Sequence, residues 1–296
     1  MRYAKLRLTH PTESDLSSLI EMRIFNSVLN SFFDLFLSPF QTVHPVWPLL
    51  LISFLTGILL LVIFRYTSNQ KGIGETRERI KAHLLEIRIF KDDPRILLSA
   101  QKEILLYNAK YLMYGIKPLV VMVVPVTILL IHLDSWFGYR PLRPGESTVV
   151  SVKLAGEATE ALANIGLHAN QGLSLETPAL RIPAEREADW RIRATKPGQQ
   201  AVEVTVLGQS FRKSVVVSEN RLEKVSRGLV LAEFWKTLLH PDEQPIKRGS
   251  LVARVDVDYP TRSISIFGWK LHWMWLFFIS STVFGFVFKG LFKVQI

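Results

Sequence analysis

The residues of this chain that could do chemistry are polar side chains placed within or beside long apolar segments. They are Ser53, Thr56, Arg65, Asn69, Gln70, Lys117 and Ser281. A hydroxyl or amide can hydrogen-bond a peptide group that has lost its water, and a cation within the membrane boundary is costly enough to suggest a function. This set predicts a wet groove that contacts the polar part of another chain. Two alternatives remain: small hydroxyl residues let membrane helices pack closely, and the two cations can extend to the interface.

The sequence contains no recognisable catalytic or metal-binding motif. It has no cysteine, which excludes disulfides, Cys-ligated zinc and thiol catalysis. His168, His240 and His272 are far apart, and the HExxH, phosphate-loop and GxSxG patterns are absent. An enzyme acting on lipid or cell-wall precursors is disfavoured for the same reason. We therefore expect a protein that is not an enzyme and has no catalytic residue, cofactor, metal ion or small-molecule substrate.

Three apolar runs frame the polar set: Trp47–Phe64, Pro118–Leu133 and Trp269–Phe288. Each is close to the ~20 residues that a helix needs to cross a ~30 Å hydrocarbon layer. We predict an α-helical membrane protein with three transmembrane helices. Its parts are an N-terminal segment (1–46), a first span (47–64), a helical hairpin (65–117), a second span (118–136), a β-sandwich domain (137–267), a third span (268–288) and a tail (289–296).

The distribution of basic residues predicts the orientation of these spans. The loop between the first two spans is rich in lysine and arginine, and the tail carries Lys289 and Lys293. The positive-inside rule places both on the cytoplasmic side and the β-sandwich outside. The formal charge of +10 fits cytoplasmic loops and anionic headgroups, so no specific nucleic-acid partner is expected. A prokaryotic plasma membrane fits this layout best.

The basic loop has the pattern of two helices joined by a short turn. The first presents Ile73, Ile80, Leu84 and Ile87, and the second presents Leu97, Ala100, Ile104, Tyr107 and Tyr111. The break falls at Lys91–Pro94, where Asp93 can cap the second helix and Pro94 suits its first turn. The spacing of the second set is typical of a coiled-coil seam, and so short a turn predicts an antiparallel hairpin. The alternative is a solvated spacer.

The N-terminal segment predicts an amphipathic helix that ends at Pro39. Its apolar face consists of Phe25, Leu29, Phe32, Phe33, Phe36 and Leu37, with Asn26, Asn30 and Asp34 elsewhere. An aromatic-rich helix beside a span favours the headgroup region of the membrane. The alternative is that the same face packs on a span of a partner.

Between the second and third spans, the pattern changes to the alternation of β-strands. It covers Ser147–Leu154, Glu187–Ala194, Ala201–Leu207, Phe211–Val217 and Leu251–Val257. Turn signals such as Pro197–Gly198 separate the strands. Several short strands at this spacing favour an Ig-like β-sandwich, with Trp190 in its core.

The order of these parts resembles the YidC/Oxa-type insertase superfamily, whose compact members have three spans. The similar stretch runs from Phe25 to Leu133, and its most suggestive segments are Phe64–Gln70 (FRYTSNQ) and Tyr111–Pro118 (YLMYGIKP). An outer amphipathic helix, a span, a basic hairpin and a second span entered through a Tyr-rich, Lys–Pro junction follow in the order of that family. The β-sandwich is an addition to the compact plan.

The resemblance implies three core helices around a hydrophilic groove, open to the cytoplasm, that receives short translocated segments. It also implies that the hairpin captures substrate or contacts the ribosome. The expected partners are membrane lipids and nascent or small membrane proteins. The alternative is a non-catalytic accessory or structural subunit of a larger membrane complex, docking through its outer Ig-like module and its spans, because Ig-like modules without active-site residues are commonly binding units.

Overall fold

A computed structural model describes residues 13–156, 159–266, 268–292 and 294. The first twelve residues of the predicted N-terminal segment, and Lys293, Gln295 and Ile296 of the predicted tail, lie outside this part of the chain. The described residues fall into a helical unit, within 46–129 and 273–296, and a β-rich unit, within 1–45 and 130–272.

Seven α-helices are present in the described residues. They are α1 (Glu13–Leu37), α2 (Val46–Thr67), α3 (Gln70–Ile89), α4 (Pro94–Phe137), α5 (Thr159–Ala163), α6 (Phe234–Leu239) and α7 (Trp273–Phe288), with a 3-10 turn at Ser38–Phe40. The second helix of the hairpin continues into the predicted second span as one helix of 44 residues.

Two helices, α2 and α4, are long and apolar enough to cross a membrane. The third apolar helix, α7, has 16 residues, which corresponds to about 24 Å at 1.5 Å per residue. The predicted third span (268–288) begins before the helix does, because Trp269–Leu271 form a strand that pairs with Ile264–Ile266 and α7 starts at Trp273. The coarse fold class is thus confirmed: helices, two of them able to span a membrane, and a separate region of antiparallel β-sheet.

α3 and α4 run in opposite directions along each other. Gly72, near the start of α3, lies against the ring of Tyr114. Further along α3, the imidazole of His83 stacks on the ring of Tyr107, with ring centroids 5.7 Å apart. Because residue numbers rise along α3 and fall along α4 at these contacts, the pair forms the predicted antiparallel hairpin.

The contact faces of the hairpin follow the predicted spacing with one exception. The five predicted seam positions of α4 are buried or half-buried, and Ala100 is completely buried. On α3, Ile73 is buried, whereas Leu84 is 53% exposed. The prediction for Leu84 is wrong because its neighbour His83 occupies this turn of the seam by stacking on Tyr107.

The β-rich unit consists of antiparallel sheets. Its strands are β1 (Ser147–Leu154), β2 (Ile165–Ala169), β3 (Leu173–Leu175), β4 (Leu180–Ile182), β5 (Glu187–Ala194), β6 (Gly198–Val206), β7 (Gln209–Val217), β8 (Gly228–Val230), β9 (Val252–Val257), β10 (Ile264–Ile266) and β11 (Trp269–Leu271). The largest sheet has the order β3-β5-β1-β9-β8, with β4 also on β5. A second sheet has the order β2-β6-β7, and β10 pairs with β11.

One apolar core lies between the two larger sheets. Inward residues of β1, β5 and β9 share a buried cluster with those of β2, β6 and β7. Trp190 is 3% exposed within this cluster, so its predicted core position is confirmed. The alternation of apolar residues predicts which side chains are buried, because successive side chains of a strand point to opposite faces of the sheet. The β6–β7 turn places Leu207 and Gly208 at φ values of 46° and 81°, a conformation that suits glycine at the second position.

α1 packs on α6 through its asparagines. The side-chain amides of Asn26 and Asn30 donate to carbonyl oxygens of α6 and of the segment after it, at 3.0 and 2.7 Å. Phe33 is buried and stacks on His132, at a centroid distance of 5.3 Å. Phe25 and Phe32 stay 44% and 59% exposed. Within the β-rich unit α1 therefore packs through these asparagines and through part of the predicted apolar face, and it leaves Phe25 and Phe32 exposed.

Candidate functional site

All seven residues of the predicted groove lie in the helical unit, and three of them meet where α2 contacts α7. Ser53, Thr56 and Ser281 are 0%, 3% and 4% exposed. The hydroxyl of Ser53 donates to the carbonyl oxygen of Leu49 at 2.7 Å, and that of Ser281 donates to Phe278 at 3.1 Å. These hydroxyls are thus buried, and two of them are bonded to their own helices, which matches the packing interpretation of small polar residues.

Close approach of α2 and α7 depends on Gly57. A Cβ atom at this position would lie 2.6 Å from the carbonyl oxygen of Ser281 and 3.2 Å from the backbone nitrogen of Gly285. Both are backbone atoms, so neither can move aside as a flexible side chain would. Beside this point, the ring of Phe54 meets that of Phe284 edge to face, with centroids 5.4 Å apart. The pair is therefore a tight, glycine-dependent contact.

Three further groove residues lie at the junction of α2 and α3. Arg65 is exposed in the last turn of α2, and its Nη1 donates to the carbonyl oxygen of Phe292 at 3.1 Å. Asn69 caps α3, accepting a hydrogen bond from the N–H of Gly72 at 3.0 Å. The amide of Gln70 donates to the hydroxyl of Ser68. The junction therefore places one cation and two amides together at this end of α2.

Lys117 stands apart from the other six residues. It is exposed on α4, and its side chain forms no hydrogen bond or ion pair within the described residues. Pro118, which follows it, is buried. The structure therefore forms two groups, the α2–α7 hydroxyls and the α2–α3 junction, and leaves the second cation outside both.

The apolar half of α4 makes few contacts with α2 or α7, although those two helices pack along each other. Leu119, Val120 and Val124 are 58%, 60% and 61% exposed. Pro118 and Pro125 lack an N–H, so the carbonyls one turn earlier lose their usual helical donors. α4 therefore has an exposed apolar face, and two of its carbonyl groups lack the usual helical donor.

A buried charge cluster in the β-rich unit was not predicted. Lys213 on β7 is 0% exposed, and its Nζ donates to Oε1 of Glu243 at 2.6 Å and to the carbonyl oxygen of Ser226 at 2.8 Å. Burial lowers the pKa of Lys213, while the charge of Glu243 opposes that shift. The alternating pattern of β7 could have predicted that Lys213 is buried, because Lys213 lies between Phe211 and Val215 on the inward-facing side of the strand.

The segment that carries Glu243 also fixes the base of α4 and the N-terminal helix. Next to Glu243, Asp242 accepts a hydrogen bond from the hydroxyl of Ser135, in the last turn of α4, at 2.5 Å. Lys224 lies 3.4 Å from Asp242 and 3.1 Å from Asp34 of α1. Together with the bonds from α1 to α6, these contacts make the segment the joint at which α1, the end of α4 and β7 meet.

A forked ion pair closes the connection from α4 to β1. Nη1 and Nη2 of Arg140 donate to the two carboxylate oxygens of Glu146 at 2.8 and 2.7 Å. Hydrogen bonding from Arg140 lowers the pKa of Glu146 from 4.5 to about 2, against the opposing effect of partial burial. The carboxylate is therefore charged at any physiological pH.

We expect the β-rich unit to lose stability as the pH falls from 4.5 towards about 2, the pKa of Glu146 in the folded chain. Because the folded pKa lies below the unfolded one, the carboxylate stabilises the fold above the unfolded value, and protonation removes that contribution. Thermal unfolding at a series of pH values should show a shallower acid loss for Glu146→Gln. Glu219→Gln, at an exposed position, is the matched control. Equal acid sensitivity of Glu146→Gln and the parent would contradict the assignment.

Comparisons with family models, with curated proteins and with solved structures found no significant match to this chain. Within the described residues, no group of three histidine, aspartate or glutamate side chains is placed to hold a metal ion.

Proposed function

We propose that this chain is an insertase-like membrane protein of the YidC/Oxa type, with three spans, that helps to insert or assemble other membrane proteins. In this proposal α2, α4 and α7 cross a prokaryotic plasma membrane. The α3–α4 hairpin lies in the cytoplasm, and the β-rich unit is an Ig-like module outside. The groove receives the polar flank of a nascent or small membrane protein.

The observation that carries the proposal is the contrast between the two helix contacts of the helical unit. α2 and α7 pack tightly against each other at Gly57. The apolar half of α4, in contrast, packs little against either helix and keeps an exposed face. A substrate segment needs such an open side, because polar backbone crosses a membrane only where protein or water satisfies it. The carbonyls released by Pro118 and Pro125 supply acceptors on α4.

The length of α7 supports the same proposal. At about 24 Å by the helical rise, α7 is shorter than a typical ~30 Å hydrocarbon core. A short span draws the bilayer thinner around it. A thinner core shortens the path over which a polar flank lacks water, which lowers the cost of its passage.

The seven groove residues take two kinds of role in this proposal. Arg65 and Lys117, with Asn69 and Gln70, attract and hydrogen-bond the acidic or polar flank at the cytoplasmic entrance. The three buried hydroxyl residues allow α2 and α7 to pack closely, and they contact substrate only if these two helices separate: Ser53, Thr56 and Ser281. The ribosome is a further proposed partner, through the basic hairpin.

The experiment is insertion of a small single-span protein with an acidic translocated flank into liposomes that contain the full chain. Arg65→Ala should slow insertion about fivefold, the effect of losing on the order of 1 kcal/mol of charge attraction. Arg212→Ala, at an exposed position of β7 outside the groove and the hairpin, is the control and should leave the rate unchanged. Insertion equal to that of empty liposomes, or a silent Arg65→Ala, would contradict the proposal.

A second candidate function is a structural or accessory subunit of a larger membrane complex. The burial of Ser53, Thr56 and Ser281 favours it, because groove hydroxyls used for packing are withdrawn from substrate. Purification in mild detergent distinguishes the two. One stoichiometric complex without nascent chains would favour the accessory role, whereas co-purifying nascent membrane proteins would favour insertion.

A further inference from the structure

We propose that a cavity in the β-rich unit, between α1 and the chain that follows α6, binds a basic side chain of another protein. The cavity, called the α1 groove, has a volume of about 620 Å³. One wall is the polar row of α1, formed by Asn26, Asn30 and Asp34, and the other includes Thr237 and residues 241–245. The proposal does not depend on insertion, and it holds equally for an accessory subunit.

Two buried side chains that line the α1 groove have oxygen atoms without a hydrogen-bond partner among the described residues. Asn26 is 4% exposed, and its amide nitrogen donates to the carbonyl oxygen of Thr237 at 3.0 Å, which leaves its Oδ1 unpaired. Thr237 is 3% exposed, and its Oγ1 has no partner. Because a buried acceptor without a donor costs free energy, a ligand that donates hydrogen bonds would be stabilised here.

The charges around the α1 groove favour a cation as that donor. Three carboxylates line it, those of Asp34, Asp242 and Glu243. Lys224 lies 3.1 Å from Asp34 and 3.4 Å from Asp242, and the buried Lys213 lies 2.6 Å from Glu243. Among these groups the negative charges exceed the positive ones by one. Asp34 is the carboxylate that a ligand reaches most easily, because its side chain is 50% exposed.

The α1 groove also suits the hydrocarbon part of a basic side chain. Ile24 and Val28 of α1 line it together with Pro241 and Pro245 of the opposite wall. The polar row extends over eight residues of α1, which corresponds to about 12 Å at 1.5 Å per residue. Lysine and arginine cover apolar surface with their methylene groups while the charged end stays among polar atoms. A phospholipid headgroup fits less well, because its phosphate would be repelled by the three carboxylates.

The test uses the full chain in a neutral detergent and two fluorescent nine-residue peptides that differ only in a central lysine or glutamine. Fluorescence anisotropy should show the lysine peptide binding about tenfold more tightly, because its ammonium group donates to the unpaired acceptors and is attracted by the carboxylates. Added salt should reduce this preference, since the groove is open to solvent. Equal binding of the two peptides at low salt would overturn the proposal.

A charge-removing substitution locates the binding. Asp34→Asn should reduce the preference for the lysine peptide to about twofold or less, because it removes the most exposed carboxylate of the groove. Asp258→Asn removes the same charge at an exposed position of the same unit outside the groove, and it should leave the preference near tenfold. An effect of Asp34→Asn no larger than that of Asp258→Asn would contradict the assignment of the site.

Thr237→Val separates binding from folding. Valine keeps the shape of threonine and removes a hydroxyl that has no partner in the fold, so the variant should unfold no earlier than the parent. It should weaken binding of the lysine peptide at least about threefold and leave binding of the glutamine peptide unchanged. A Thr237→Val protein that keeps the full preference for lysine would overturn the proposal.

Discussion

Glu243→Ala is expected to destabilise the β-rich unit by about 3–5 kcal/mol, the range for breaking a buried ion pair from one side. The substitution leaves Lys213 without its carboxylate in a site where its side chain has no exposed surface. It also removes the acceptor of the Ser214 hydroxyl and loosens the segment that holds α1 and the end of α4. Thermal unfolding of the full chain in detergent, followed by the β signal in circular dichroism, should shift down by roughly 10 °C.

Two further variants separate this effect from general surface damage. Glu219→Ala, at an exposed position of the same unit, should unfold within about 1 °C of the parent. The double variant Lys213→Met with Glu243→Leu should recover much of the loss, because an apolar pair of similar volume commonly replaces a buried ion pair at little cost. A Glu243→Ala protein as stable as the parent would show that the pair contributes nothing to the fold.

Gly57→Leu is expected to separate α2 from α7 and to destabilise the helical unit by about 1–3 kcal/mol, the usual cost of overpacking. The leucine Cβ atom would fall 2.6 Å from the backbone oxygen of Ser281, so the helices must move. Spin labels at Leu59→Cys and Val287→Cys, both exposed positions, report the distance without interference because the natural sequence has no cysteine. We expect an increase of about 2 Å, comparable to the spread of helix–helix distances with side-chain size.

The control for this prediction is Gly115→Leu on α4. A Cβ atom at Gly115 meets nothing within 4 Å, so the same added volume should leave the distance between the labels unchanged. It should also leave stability unchanged or raise it, since glycine disfavours a helix. If Gly57→Leu moved the labels no more than Gly115→Leu does, α2 and α7 would not depend on the glycine contact.

Local patterns in the sequence predicted the parts of the fold that depend on local spacing. The alternation of Ser147–Leu154 and Glu187–Ala194 gives β1 and β5 with the same bounds. The seam from Leu97 to Tyr111 and the core position of Trp190 also follow from spacing. In each case the period of the apolar residues determines which face is buried.

Features that depend on pairing partners far along the chain were missed. Trp269–Leu271 looks like the start of a span because hydropathy does not reveal its pairing with Ile264–Ile266. Five short strands were also missed, because each is held by hydrogen bonds to a neighbouring strand and not by a long alternating pattern of its own: β2, β3, β4, β8 and β10. Lys213 lies on the inward face of β7, but its partner Glu243 is 30 residues away.

For the candidate site, the sequence identified the polar residues but not the role of their neighbours. Ser53 and Ser281 were predicted to line the groove because of their hydroxyl groups, yet both are buried in the contact between α2 and α7 near Gly57. Whether a small residue packs or lines a groove depends on the facing helix, which a single segment does not specify. The same applies to Asn26, whose amide bonds α6 instead of facing away from the packed side of α1.

The proposed function depends most on the sidedness of the hairpin and of the β-rich unit, and cysteine labelling measures that sidedness directly. Asp92→Cys lies in the turn between α3 and α4, and Lys196→Cys lies in the exposed turn between β5 and β6 of a chain that otherwise has no cysteine. In spheroplasts, a membrane-impermeant maleimide should label Lys196→Cys and should reach Asp92→Cys only after lysis. Labelling of Asp92→Cys in sealed spheroplasts would contradict the proposed topology and the insertion role that depends on it.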